Sequence, residues 1–171
     1  MVNSFLARIT IAVIVTSHVP ACDRAEDTQA EPAHRWHKIV GTDSPGGQKN
    51  VQMVIGAVER LASQKDRASL VLSCNQGLTD AYVVWRQYLG VYDPDVTWLA
   101  GSDPAVTETW TLSTDNEATF APDPVELIKQ MMNRDLFLIK TTPFGGAPVT
   151  VEFNTAGLKT EVTELRETCG W

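Results

Sequence analysis

Basic residues are few and scattered in this sequence. Lys and Arg number 14 against 21 Asp and Glu, a formal net charge of −7. A chain of that sign repels phosphate backbones and anionic headgroups unless its bases cluster, and no cluster is present, so nucleic acid is not an expected partner. Histidine is scarcer still. His34 and His37, the two beyond the first twenty-one residues, stand at i and i+3 with no third ligand nearby, so no metal site is expected. Ser44, Ser73, Ser102 and Ser113 lack the GxSxG or SxxK setting of an activated serine, and no HExxH occurs. The glycines of the stretch from Gly41 to Gly47 lack the Lys-Ser/Thr of a phosphate loop and read as a turn. With no nucleophile beside a base and no cofactor fingerprint, the chain reads as non-catalytic and cofactor-free. Asp115 and Glu117 remain as candidates for carboxylate chemistry, although a solvated turn after a strand explains them more simply.

Long apolar runs are missing as well. The stretch Ile9 to Val15 falls well short of the roughly 18–20 residues that cross a bilayer. It follows Arg8 and precedes Val19-Pro20-Ala21-Cys22, which is the order of a secretory signal: positive start, short apolar middle, small residue at the cut. Residues 1–21 are therefore expected to be a signal peptide. Cys22 also resembles the cysteine of a bacterial lipobox, which receives diacylglycerol and becomes the mature amino terminus. On that reading Cys22 is the lipidation site, and Asp23 after it implies retention at the inner membrane in lipoproteins of enterobacterial type. Cleavage after Ala21 into a soluble periplasmic protein, and a buried first element of a cytosolic protein, are the alternatives. Residues 22–35 are then the acylated cysteine and a tether. From Asp23 to Ala33 no large apolar side chain occurs, so these eleven residues bury almost nothing and extend to at most about 36–40 Å.

The sequence has three cysteines and none in a CxxC. If Cys22 is acylated, Cys74 and Cys169 remain, and in an oxidising periplasm such a pair is expected to join. Two separate buried thiols are the alternative. From Ser69, the alternation of Leu70, Leu72 and Cys74 places these three on one face of a strand. Toward the end, Leu158, Val162, Leu165 and Cys169 fall at i, i+4, i+7 and i+11, the apolar stripe of one helix capped by Gly170. Both thiols then face the same layer.

The remaining elements follow from turn chemistry and periodicity. Trp36 to Val40 and Val51 to Ala57 have strand content, and Asn75-Gln76-Gly77 turns the Cys74 strand into Ala81 to Trp85 as a hairpin. Asp93-Pro94 and Asp103-Pro104 bracket a short strand from Val96 to Ala100, and Glu108 to Ser113 reads as the next strand, with Trp110 and Leu112 two apart. Asp123-Pro124-Val125-Glu126 is a helix start with a cap, a proline where a missing N–H costs nothing, and an acid three residues on. Leu127, Ile128, Met131 and Met132 give that helix its apolar stripe. Leu136 to Thr142 and Pro148 to Phe153 form a last hairpin around Pro143-Phe144-Gly145-Gly146-Ala147. Strands interrupted by two helices predict a single α+β domain over residues 36–171, a largely antiparallel sheet with two packed helices. Trp36, Trp85, Trp98 and Trp110 could form a stacking platform for a peptide or glycan, but they alternate with apolar residues and suit the core better.

Several of these segments together resemble the type VI secretion system-associated periplasmic proteins known as VasI or TagO. The pieces are Leu70-Val71-Leu72-Ser73-Cys74; Ala81 to Trp85 with Tyr88-Leu89-Gly90; Trp110 to Asp115 with Ala118-Thr119-Phe120; Thr142-Pro143-Phe144-Gly145; and Phe153 through Gly157-Leu158 to Cys169-Gly170-Trp171. The resemblance implies a periplasmic accessory role beside the secretion apparatus, with envelope or secretion-apparatus proteins as partners and the membrane reached through the lipid on Cys22. It carries over no catalytic residue. A general peptide- or glycan-binding module, or a cell-wall hydrolase, would be the competing functions.

Overall fold

A computed structural model of the chain describes residues 35–42, 47–59 and 67–171. The expected signal segment, the expected lipidation site Cys22, the expected tether as far as His34, and Ser44 lie outside the described residues. Among those described, no helix is long and apolar enough to cross a membrane.

Alternation of apolar and polar side chains builds the larger of two sheets. It contains β1 (His37–Thr42), β2 (Lys49–Gly56), β3 (Ser69–Asn75) and β4 (Leu78–Val84), followed by β8 (Ala118–Phe120) and β7 (Thr111–Leu112), in the order β1-β2-β3-β4-β8-β7. On β2 the inward residues Val51, Met53 and Ile55 are buried and their neighbours are half-exposed, as a strand with one covered face requires. Gln76 and Gly77 both have positive φ, 51° and 77°, the two-residue turn whose twist matches its flanking strands. Its register pairs Asn75 with Leu78 and Cys74 with Thr79.

The smaller sheet has the order β10-β9-β5-β6, from β5 (Asp95–Ala100), β6 (Val106–Thr109), β9 (Leu136–Thr141) and β10 (Val149–Asn154). All its pairings are antiparallel, as are those of the larger sheet. The inward faces of both sheets meet in one hydrophobic cluster that includes Met53, Leu72, Trp85, Trp98, Phe137 and Phe153. The expectation of one sheet is thus corrected to two. The expected strand from Glu108 to Ser113 is the point of division, since β6 ends at Thr109 in the smaller sheet and β7 begins at Thr111 in the larger. Trp110 is the cause: its ring is fully buried and its backbone N–H bonds to the Pro94 carbonyl at 3.0 Å, so the chain must turn there to place the indole between the sheets.

The helices also number differently from the two expected. Helix α1 (Pro124–Met131) is capped as predicted, with Asp123 accepting from the Glu126 N–H, and it packs Leu127, Ile128 and Met131 inward against β4. The Glu126 carboxylate, however, accepts from Gln130. The terminal helix is two pieces, α2 (Leu158–Glu161) and α3 (Thr163–Cys169), divided at Val162. There ψ flattens to −6°, and the Thr163 hydroxyl donates to the Thr160 carbonyl, a local bond that competes with the helical ladder. The apolar stripe survives the break, because Leu158, Val162 and Leu165 are all fully buried.

Cys74 on β3 and Cys169 at the end of α3 are joined by a disulfide, Cα to Cα 5.8 Å. Beyond it, Gly170 takes the left-handed cap at φ 77° and gives its N–H to Arg166. Trp171 then lies under the Arg166 guanidinium and donates its indole N–H to Thr79 on β4 at 2.8 Å. On the other side, Lys38 of β1 reaches Glu161 and Glu164, and Lys49 of β2 reaches Glu164 at 2.7 Å. The carboxy-terminal helices are therefore held on one face of the larger sheet. Among the described residues, no helix packs on the opposite face.

Candidate functional site

The tryptophans do not form a platform. Trp36, Trp85, Trp98 and Trp110 are all less than 10% exposed, and their polar edges are largely spoken for. Trp85 donates to the buried Thr119 hydroxyl at 3.0 Å. One oxygen of Glu108 accepts from both Trp98 and Trp110, at 2.8 and 2.9 Å. This pair of bonds follows from register: Glu108 stands opposite Val96 and so points to the same inward face as the strand's apolar residues.

The polar candidates also resolve into structural parts. Asp115 sits in the turn between β7 and β8, accepting from the Ser113 hydroxyl and the Glu117 N–H. Those hydrogen bonds, Ser113 foremost, hold its carboxyl below the usual carboxylate range, so it stays ionised and is a poor proton donor. Ser113 is engaged twice, since its oxygen also accepts from the Ala118 N–H. His37 lies exposed on β1, and its companion His34 is outside the described residues. Among the described residues no group of three His, Cys, Asp or Glu is placed to hold a metal ion. With their sulfurs bonded to one another, Cys74 and Cys169 supply neither a thiolate nucleophile nor a ligand.

Two surfaces remain. The first is the uncovered face of the larger sheet, which holds a groove of about 610 Å³ open to solvent. Strand register puts Ile39, Gln52, Ser73 and Asp80 in one row across β1 to β4, and Val54, Val71, Tyr82 and Phe120 in the next row across β2 to β8. Tyr82 and Phe120 stack with ring centroids 4.7 Å apart, and Gln52 donates to the Tyr82 hydroxyl at 3.3 Å. Burial pushes the Tyr82 phenol above its ordinary value, so the hydroxyl keeps its proton.

The second surface is formed by two loops. Tyr88, Val91 and Tyr92 lie on the connection from β4 to β5, and Phe144 tips the β9–β10 turn; Tyr92 is 84% and Phe144 73% exposed. The loops are fastened together. Phe144 gives its N–H to the Tyr88 carbonyl at 3.1 Å, and the two rings meet edge to face at 5.9 Å. Gly90 lies against the Phe144 ring at φ 110°, a backbone conformation that residues with a Cβ rarely adopt.

Sequence reasoning looked for exposed aromatics among the tryptophans and missed these. The available signal was position: Tyr88, Tyr92 and Phe144 sit in turn-rich segments with no alternation, where an aromatic has no strand face to bury it. The groove had no comparable signal, since which face of a sheet stays bare depends on where the helices pack.

A protein-family model described as "Type VI secretion system VasI, EvfG, VC_A0118" matches residues 11–171, nearly the whole chain. No curated protein and no solved structure matches.

Proposed function

The chain belongs to the type VI secretion system VasI family, and from that membership we propose that it is a non-catalytic periplasmic lipoprotein, anchored at the inner membrane through Cys22, that docks on proteins of the secretion apparatus. The family match carries the secretion role. The anchor rests on the signal pattern of residues 1–21 and on the small residue before Cys22. The non-catalytic character is supported by the engagement of Ser113 and Asp115 in a turn and by the disulfide that occupies Cys74 and Cys169.

The docking surface is the aromatic patch of Tyr88, Val91, Tyr92 and Phe144. Tyr88 and Phe144, tied by a main-chain hydrogen bond and an edge-to-face ring contact, lose little freedom on binding, which is the usual character of an interface anchor, and Tyr92 adds exposed aromatic area beside them in sequence. The association is apolar, so it survives moderate salt. Deletion of the gene is expected to reduce effector release and contact-dependent killing. Wild-type protein restores both; the double variant Tyr92→Ser, Phe144→Ser does not, although it accumulates normally. Cys22→Ser is expected to lose palmitate labelling and membrane fractionation. Full secretion in the deletion strain would remove the secretion role, and an unlabelled wild type in the soluble fraction would remove the anchor.

A further inference from the structure

The groove on the bare face of the larger sheet has a charge pattern that the docking reading does not use. Asp80 and Asp115 line it, and no Lys, Arg or His does among the described residues. Asp80 is half-buried on β4 and takes part in none of the ion pairs formed by the described residues. Along β4 it lies two residues before Tyr82, while Asp115 belongs to the turn entering β8, whose Ala118 stands opposite Val84. The two carboxylates therefore flank the stacked Tyr82–Phe120 pair on opposite sides. Two carboxylates and no base give the groove a negative field that favours a cationic ligand over an anionic one.

We infer that this groove binds an extended peptide segment carrying basic side chains on either side of an apolar one. In an extended chain, residues i, i+2 and i+4 face the same way, so a basic, an apolar and a second basic residue at that spacing meet Asp80, the Tyr82–Phe120 pair and Asp115 in turn. Along β4 the groove runs from Asp80 past the Tyr82–Phe120 pair and the Val84–Ala118 pair to the turn that holds Asp115, so the peptide lies along the strands rather than across them. The amide side chains of Gln52 and Asn75 line the groove, where they can pair with a peptide main chain. The Tyr82 hydroxyl accepts from Gln52 and keeps its own proton to donate. A glycan fits less well. Sugars stack on open ring faces, and here Tyr82 and Phe120 each cover a face of the other.

The test does not depend on the secretion role, because it uses the purified full chain alone. Fluorescein-labelled Lys-Ser-Leu-Ser-Lys-Ser is titrated and followed by fluorescence anisotropy, beside Glu-Ser-Leu-Ser-Glu-Ser and Lys-Ser-Ser-Ser-Lys-Ser. The first peptide is expected to bind saturably, the second not at all, and the third more weakly than the first. Asp80→Asn, which keeps size and shape, is expected to weaken the first peptide by about fivefold or more, as is a rise in salt to several times physiological. Asp115→Asn provides an independent variant, with near-ultraviolet circular dichroism as the check on folding. Equal binding of the glutamate peptide, or unchanged affinity in a folded Asp80→Asn, overturns the inference. So does displacement of the probe by chitotetraose at lower concentration than by unlabelled peptide, which would assign the groove to glycans.

Discussion

Glu108 is the residue whose loss should be felt most for its size. A single carboxylate oxygen accepts from the indoles of Trp98 and Trp110, and both rings are buried, Trp110 completely. Glu108→Ala removes the acceptor and leaves two indole N–H groups to find new partners. An unsatisfied buried donor costs about 1–3 kcal/mol. Trp110, at 0% exposure, should incur the full penalty. Trp98 lies nearer the surface, where water can partly replace the lost oxygen, so the sum is about 2–4 kcal/mol. That is a large fraction of the roughly 5–15 kcal/mol that holds a domain folded. Glu108→Gln separates the acceptor from the charge. Its amide oxygen can still accept from both indoles, though without the gain of an ionised acceptor, and the expected cost falls to about 1 kcal/mol.

Urea unfolding followed by tryptophan fluorescence and far-ultraviolet circular dichroism measures both variants. With a slope of about 1–3 kcal/mol/M, Glu108→Ala should lower the midpoint by about 1–2 M and Glu108→Gln by well under 1 M. In a double-mutant cycle, Trp98→Phe should cost less in the Ala background than in wild type, because its N–H has already lost its partner. An Ala variant within about 0.5 kcal/mol of wild type would refute the reasoning. A Gln variant as unstable as Ala would also do so, by showing that strand packing rather than the shared acceptor matters.

Three further outcomes are expected. The disulfide closes a separation of 95 residues, so replacing Cys74 and Cys169 together by Ser should cost about 4–5 kcal/mol in the chain-entropy account, and α3 should become cleavable by protease before the rest unfolds. Gly101 has φ +62°, and a Cβ there would lie 2.4 Å from Cδ of Arg134, whose guanidinium donates twice to Asp103. Gly101→Ala should therefore destabilise by about 1–3 kcal/mol by thermal unfolding, more than Asp103→Asn, which removes only the surface pair. The Glu164 carboxyl is held below its ordinary value, chiefly by the hydrogen bond from Lys49. A depressed folded value stabilises the protein above the usual glutamate range and is lost as pH falls through the lowered value. The melting temperatures of wild type and Glu164→Gln should thus differ at pH 7 and draw together as pH falls below the ordinary glutamate range; an offset that stays constant into acid would contradict it.

Much of the fold could be read along the chain because it depends on local rules. The hairpin from Ser69 to Val84, the capped start of α1 at Asp123 and the left-handed end at Gly170 rest on side-chain alternation, cap chemistry and positive φ, all properties of neighbouring residues. The facing of Cys74 and Cys169 was also legible, since each period points its thiol toward the apolar side. The break at Val162 was not, because Leu158, Val162 and Leu165 keep an unbroken stripe whether or not the helix bends there.

What one-dimensional periodicity determined was the type of each element and its buried side. What only the tertiary structure decided was partnership. Glu108 to Ser113 looks like one strand because its residues alternate, but burying Trp110 between two layers divides it, and that requirement exists only once both layers are assembled. The candidate surfaces have the same origin. Tyr88 meets Phe144, and Asp80 and Asp115 flank Tyr82 and Phe120, because strands distant in sequence pair side by side. A hydrogen-bonded register is satisfied between chains of atoms in space, and no spacing along a single segment encodes which segment will supply the other half.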